Sequence, residues 1–306
     1  MLWPERTGPD KPSVMTRTRA TATGFVAVLL WALLALFTVG SAPVPPLQLN
    51  ALCFAIGGTL GLVWVIVRGE AGLLRRISWK VYAFGTAGLF GYHALYFSAL
   101  RLAPAAEAGL IAYLWPLLIV LMSGLLPGER LRAPHVLGAL AAFAGAALIV
   151  AGGAIGGFDA AALPGYGLAL LCALTWSSYS VLSRRLGTVP TASVAVFCLA
   201  TAALSLPLHL ALEQTVWPET ALGWGSVLAL GLGPVGLAFY VWDIGVKRGD
   251  IQLLGVASYA APLLSTLVLV GAGVAVPTPT LFAAAILITG GAALAARASR
   301  RAADQA

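Results

Sequence analysis

The chain has 306 residues, of which 60% are hydrophobic and only 9% charged, with a mean hydropathy of +0.93. A soluble domain carries about 25% charged residues, so this chain lacks the polar surface to cover a globule in water, and a lipid bilayer is its expected solvent. The formal net charge of +7 would suit nucleic acid only if the cations formed one concentrated surface, and their placement along the chain excludes that.

Residues 1–20 are polar, contain proline and are read as a disordered cytoplasmic tail, with Met15 as an alternative start. Ten apolar runs follow, at 21–40, 47–68, 80–101, 105–126, 134–153, 163–184, 191–212, 222–246, 250–274 and 279–297. Each has the ~20 residues that a membrane helix needs. "GSA" before "PVPP" (43–46) resembles a cleavage site, but the first apolar stretch exceeds a signal core and many spans follow, so it is read as a span. The breaks carry loop chemistry, such as "RGEAGLLRRISWK" (68–80), "PGERLRAP" (127–134) and "KRGD" (247–250). "RLAP" (101–104) is the weakest break, and its proline and charge predict a tight turn.

With the N-terminus in the cytoplasm, 17 of the 18 Lys and Arg residues fall on the cytoplasmic side, and Arg101 alone falls outside. Asp159, Glu213 and Glu219 fall in outer loops. This is the positive-inside pattern, and it accounts for the net charge without nucleic acid. Cys53, Cys172 and Cys198 lie in apolar runs without CxxC spacing, which reads as small buried hydrophobes rather than a disulfide or metal site.

"AYLWPLL" (112–118) is echoed by "SYAAPLL" (258–264), and 262 − 116 = 146 residues separate the prolines. The same shift sets Arg101 on Lys247, Tyr113 on Tyr259 and Gly145 on Gly291, and a shift of 145 sets Trp31 on Trp176. The unit is therefore five helices used twice. Because five is odd, the second copy enters the membrane from the opposite side, an inverted repeat typical of transporters with a midplane site. The expected fold is all-α and integral to the membrane. Residues 21–157 form one five-helix repeat, 158–297 the other, and 298–306 a cytoplasmic tail.

Over 21–297 the chain resembles the drug/metabolite transporter superfamily in its ten-helix, EamA-type form. The resemblance rests on "ALRLAPAAEAGLIAYLWPLLIVLMSGLLPGERL" (99–131), "HVLGALAAFAGAALIVAGG" (135–153) and their counterparts at 245–273 and 282–291. One departure is that Val274-Ala275 stands where the first half has Gly128-Glu129. Within the superfamily, the aromatic midplane is similar to the bacterial aromatic amino acid exporters. That likeness implies a basket of ten helices, with the third, fourth, eighth and ninth lining a central cavity, the first and sixth completing it, and the fifth and tenth peripheral.

The candidate substrate-binding residues are Tyr92, His93, Tyr96, Tyr113, Trp115, Trp176, Ser258 and Tyr259, with Pro116 and Pro262 as helix breaks. Tyr92 and Tyr96 share a face by i, i+4 spacing, with His93 beside them. An imidazole at mid-membrane is costly and by default functional, either carrying a proton or hydrogen-bonding a substrate; tying helices together is the competing role. Pro116 and Pro262 release the carbonyls of Ala112 and Ser258, which either bind a ligand amine or accompany a packing kink. Trp31 and Trp176 sit mid-span, and Trp242 and Tyr240 lie nearer the cytoplasmic end. A set of rings offers stacking worth about 0.5–1.5 kcal/mol per pair and cation–π attraction for an ammonium, which suits bulky neutral amino acids.

The first run lacks a mid-span carboxylate, which weakens proton-driven cation export. No P-loop, HExxH or Gly-x-Ser-x-Gly motif occurs, so neither direct ATP use nor hydrolysis is expected. The expectation is an inner-membrane, multi-pass exporter of aromatic and other hydrophobic amino acids, without enzyme activity, cofactor or metal, with both termini cytoplasmic and a monomer as the simplest assembly. A drug or other metabolite exporter of the same superfamily is the alternative. Gly57-x-x-x-Gly61 and Gly152-x-x-x-Gly156 are candidate helix-contact motifs, within one chain or between chains.

Overall fold

The computed structural model describes residues 15–151, 159–273 and 275–303. The first fourteen tail residues, Gly152-x-x-x-Gly156, Val274 and residues 304–306 lie outside the described residues. Each of the ten apolar runs holds a helix over its described residues, and no strand occurs among the described residues. The first span, Arg17–Gly40, starts ahead of its apolar run because the Thr16 side chain accepts a hydrogen bond from the Arg19 N–H and caps the helix there. The tenth helix, Pro279–Ala303, runs past its apolar end on helix-favouring Ala and Arg.

Nine of the described helices are long and apolar enough to cross a membrane. The third, Trp79–Leu102, has 24 residues, but Tyr82, Tyr92, His93, Tyr96 and Ser98 dilute its apolar content. This helix is also one of those that build the site below.

Four spans are interrupted. The first breaks at Leu33, between Arg17–Ala32 and Leu34–Gly40. The fourth consists of Ala105–Ala112 and Trp115–Ser123, and the ninth of Ile251–Ala257 and Ala260–Gly271. Both gaps fall just ahead of Pro116 and Pro262, where the missing N–H and the ring clash stop the preceding turn from continuing. The eighth span runs from Ala221 to Arg248 through a π-helical turn at Gly233–Leu237 that contains Pro234. The remaining spans are Pro46–Val67 (second), Ala133–Ala151 (fifth), Leu163–Arg185 (sixth) and Ser193–Leu212 (seventh).

The first helix packs on the eighth, the third on the sixth, the second on the seventh and the fifth on the tenth. Exchanging helices one to five for six to ten maps this pairing onto itself. Small residues permit the close crossings. A Cβ on Gly24 would lie 2.8 Å from the Gly245 Cα, where the first helix meets the eighth. A Cβ on Gly57 would lie 2.6 Å from the Gly236 Cα, and Gly61 faces Tyr240. Gly57 and Gly61 therefore serve contacts inside the chain.

Candidate substrate site

Four tryptophans from four helices meet at the centre: Trp31 of the first, Trp115 of the fourth, Trp176 of the sixth and Trp242 of the eighth. All six pairwise ring-centroid distances fall between 5.2 and 6.4 Å. Phe239, one turn before Trp242, packs on Trp31 and Trp176 and stacks on Phe54 of the second helix. Trp115, Trp176 and Trp242 are 6%, 3% and 1% exposed, whereas Trp31 is half-buried.

Two of the indole N–H groups are tied down. Trp31 donates to the Pro234 carbonyl at 3.1 Å, and Trp242 to Ser180 Oγ at 3.1 Å. Pro234 sits in the π-helical turn, whose altered hydrogen-bond register leaves a carbonyl to receive the indole. The indole N–H groups of Trp115 and Trp176 have no protein acceptor among the described residues and are not sealed off. Ser177 instead bonds the Trp115 carbonyl at 2.9 Å and locks the sixth helix to the fourth beside the break.

A second set of side chains adjoins these rings from the third helix. Tyr92 lies 5.6 Å from Trp176 and stacks on Tyr96 at 6.2 Å with only 3° between the planes. His93 packs edge-on against Phe54 at 5.0 Å and Tyr92 at 5.2 Å. Tyr92, His93, Tyr96 and Tyr113 are all half-buried rather than enclosed. Their outer polar atoms, three phenol hydroxyls and the His93 Nε2, have no protein partner among the described residues. His93 Nδ1 lies 2.7 Å from the Leu89 carbonyl. That carbonyl can only accept, so Nδ1 carries a proton, and in the neutral ring Nε2 is then an acceptor.

The other two candidates fall outside this set. Ser258 is fully buried, and its hydroxyl donates to the Leu254 carbonyl at 2.7 Å, one turn back. Tyr259 is fully buried beside Phe143, and its hydroxyl accepts the Leu117 N–H at 3.0 Å. Leu117 is in the first turn after the fourth span's break, where helix N–H groups have no intrahelical partner. The tyrosine of one repeat thus caps the interrupted helix of the other. The carbonyl released by Pro262 is also taken, since Ser258 O accepts the Ala261 N–H at 3.0 Å. The chain re-satisfies that carbonyl by a tighter turn, which fits the packing kink of the two readings rather than a free ligand-binding carbonyl.

Phe54 and Phe239 carry no polar mark in the sequence and were not singled out there. One signal could have found Phe239 and ranked Trp242 higher: the 146-residue shift carries His93 onto Phe239 and Tyr96 onto Trp242. Phe54 carries no such mark; it needs the crossing of the second helix to place it. The three cysteines are buried and free. No metal-binding cluster of His, Cys, Asp or Glu occurs among the described residues.

Both ends of the bundle carry charges. At one, the Glu213 carboxylate accepts the Leu47 and Gln48 N–H groups, and Arg101 and His209 pair with it at 3.4 and 3.0 Å. Arg101 and Glu213 therefore share an end, as the loop assignment requires. At the other, Arg17 and Arg184 gather on Glu129.

Interrupted spans paired across two five-helix halves, with a polar aromatic centre, define a polytopic membrane transporter. The chain belongs to the EamA-like transporter family, whose model matches residues 18–151 and again 163–297. It is 56% identical over 289 residues to the aromatic amino acid exporter YddG of Ancylobacter novellus, covering 94% of this chain and all of that protein. It is 28% identical to the protein of the same name from Escherichia coli, over 94% of this chain and all of that one. A crystal structure of a 56% identical protein superposes with a TM-score of 0.89 over 94% of this chain and 99% of that one.

Proposed function

We propose that this transporter exports aromatic and other hydrophobic neutral amino acids across the bacterial inner membrane by alternating access. The two repeats, 21–157 and 158–297, are inverted, both termini are cytoplasmic, and the halves rock around the aromatic centre. The relatives named as aromatic amino acid exporters support this substrate class. The observation that carries the reading is the half-open set of Tyr92, His93, Tyr96 and Tyr113 beside the four tryptophans, with its polar atoms unpaired.

A flat aromatic side chain gains ring contacts here, each worth about 0.5–1.5 kcal/mol beyond burial. The zwitterionic end needs an acceptor for its ammonium and donors for its carboxylate. His93 Nε2 and the phenol oxygens supply the first; the phenol O–H groups and the indole N–H groups of Trp115 and Trp176 supply the second. Pro116 and Pro262 act as the flexible breaks about which the fourth and ninth spans bend. Tyr259 supports the break in this conformation.

The test is flux of labelled tryptophan and phenylalanine in proteoliposomes holding only this protein. Trp115→Ala or His93→Ala should each reduce flux by about tenfold or more at unchanged protein level. Wild-type flux in both would remove the site assignment. Competition by cationic dyes but not by amino acids would transfer the site to drug export.

A further inference from the structure

We propose that Arg184, Glu129, Arg17 and Asp250 form the gate at the end of the bundle carrying the N-terminus, and that this gate acts on the substrate site through Trp242. The proposal rests on the reading above that the aromatic centre lies on the transport path.

Arg184, at the end of the sixth helix, is the hub. Its Nη1 donates to the carbonyls of Val246 at 2.9 Å and Gly249 at 2.8 Å, which end the eighth helix. Its Nη2 bonds the Glu129 carboxylate, in the loop between the fourth and fifth helices. Arg17, opening the first helix, reaches Glu129 at 3.2 Å and Asp250 at 3.6 Å. Asp250 caps the ninth helix through the Leu253 N–H at 2.9 Å, and its own N–H donates to Thr21 Oγ1 at 2.8 Å. Gly128 takes φ +80°, a left-handed turn that glycine adopts without strain, directly ahead of Glu129. Five elements from both repeats are thus tied at one end. The Glu129 side chain is only 7% exposed, so its pairing is far less screened than that of a surface ion pair.

The link to the site follows from helical spacing. Ser180 and Arg184 are four residues apart on the sixth helix, and Trp242 and Val246 four apart on the eighth, so each pair shares a face. Ser180 accepts from Trp242, and one turn on Arg184 donates to Val246. The two bonds are successive rungs between the same helices. Separating Arg184 from Val246 draws the eighth helix away and removes Trp242 from the tryptophan cluster.

The cluster is not repeated by the internal symmetry. The 146-residue shift places Leu163 against Arg17, Ala275 against Glu129, Thr38 against Arg184 and Pro104 against Asp250. No member of the cluster has an ionisable counterpart in the other repeat. At the opposite end, among the described residues, half-exposed Arg101 and buried His209 meet Glu213, which also accepts the Leu47 and Gln48 N–H groups; that pairing ties the second and seventh helices and the end of the third, and leaves the first, sixth, eighth and ninth unlinked by charge. The two halves therefore give unequal closures, and the gated end is the one held shut at rest.

The test introduces Val246→Cys, a position fully buried beneath the cluster whose backbone carbonyl is retained, and follows its reaction with a small cationic methanethiosulfonate in detergent. Glu129→Gln or Arg184→Gln in that background should raise the rate by about tenfold or more, as the open state gains population. Arg184→Lys, which keeps the charge but not the forked donors, should fall between. Cys53, Cys172 and Cys198 should stay unreactive. Rates within about twofold of the parent would overturn the proposal, as would equal exposure of the three native cysteines, which would mean the cluster only holds the fold together. Should Arg184→Gln fail to fold, Glu129→Gln decides alone. Because labelling needs no substrate, absent tryptophan flux with intact labelling would sink the substrate reading and leave the gate standing.

Discussion

Replacing Tyr259 by phenylalanine separates a structural tyrosine from a substrate-binding one. The ring is fully buried and its hydroxyl accepts the Leu117 N–H at 3.0 Å, in the first turn of Trp115–Ser123. Removing the oxygen leaves the aromatic packing on Phe143 intact but strands a buried donor. An unsatisfied buried N–H costs about 1–3 kcal/mol, and loss of a helix N-cap about 0.5–2 kcal/mol. A loss of about 1–2 kcal/mol is therefore expected. Thermal unfolding in detergent should show a lowered midpoint, while the KM for tryptophan in proteoliposomes stays within about twofold of wild type. An unchanged midpoint with a KM raised about tenfold would refute the reasoning and return Tyr259 to the substrate wall.

Three other outcomes follow from the same geometry. Ser258→Ala should leave flux and stability near wild type, because that hydroxyl only back-bonds the Leu254 carbonyl; a large KM change would contradict its placement. Gly245→Val should abolish accumulation of folded protein, since even a Cβ there would meet the Gly24 Cα at 2.5 Å and force the first and eighth helices apart; wild-type yield on size-exclusion chromatography would count against the crossing. His93→Phe keeps a ring against Phe54 and Phe239 but deletes the Nε2 acceptor, so the KM for tryptophan should rise about tenfold with protein level unchanged; an unchanged KM would make His93 a packing group.

The reach of the sequence differs by element. Helix positions were legible because in a bilayer each spanning segment must satisfy its own backbone and present apolar side chains, a constraint written residue by residue. The two breaks were legible because proline acts locally. Tyr92, His93, Tyr96, Trp115 and Trp176 were legible as polar or bulky groups at a depth where lipid disfavours them. Ser258 and Tyr259 carry the same marks. Their polar atoms nevertheless turn to backbone partners, a choice that depends on which helix lies across from them.

The sequence by itself determined the solvent, the spans, the repeat and the family, since each rests on composition or on spacing along one chain. Only the tertiary structure decided that four tryptophans from four helices close on one another, and that Pro234 and Ser180 anchor two of them. It alone showed that Arg184 and Glu129, 55 residues apart, meet at one end of the bundle. Ring contacts and buried ion pairs depend on distances of a few ångströms between segments far apart in the chain, and helix periodicity does not encode which faces meet.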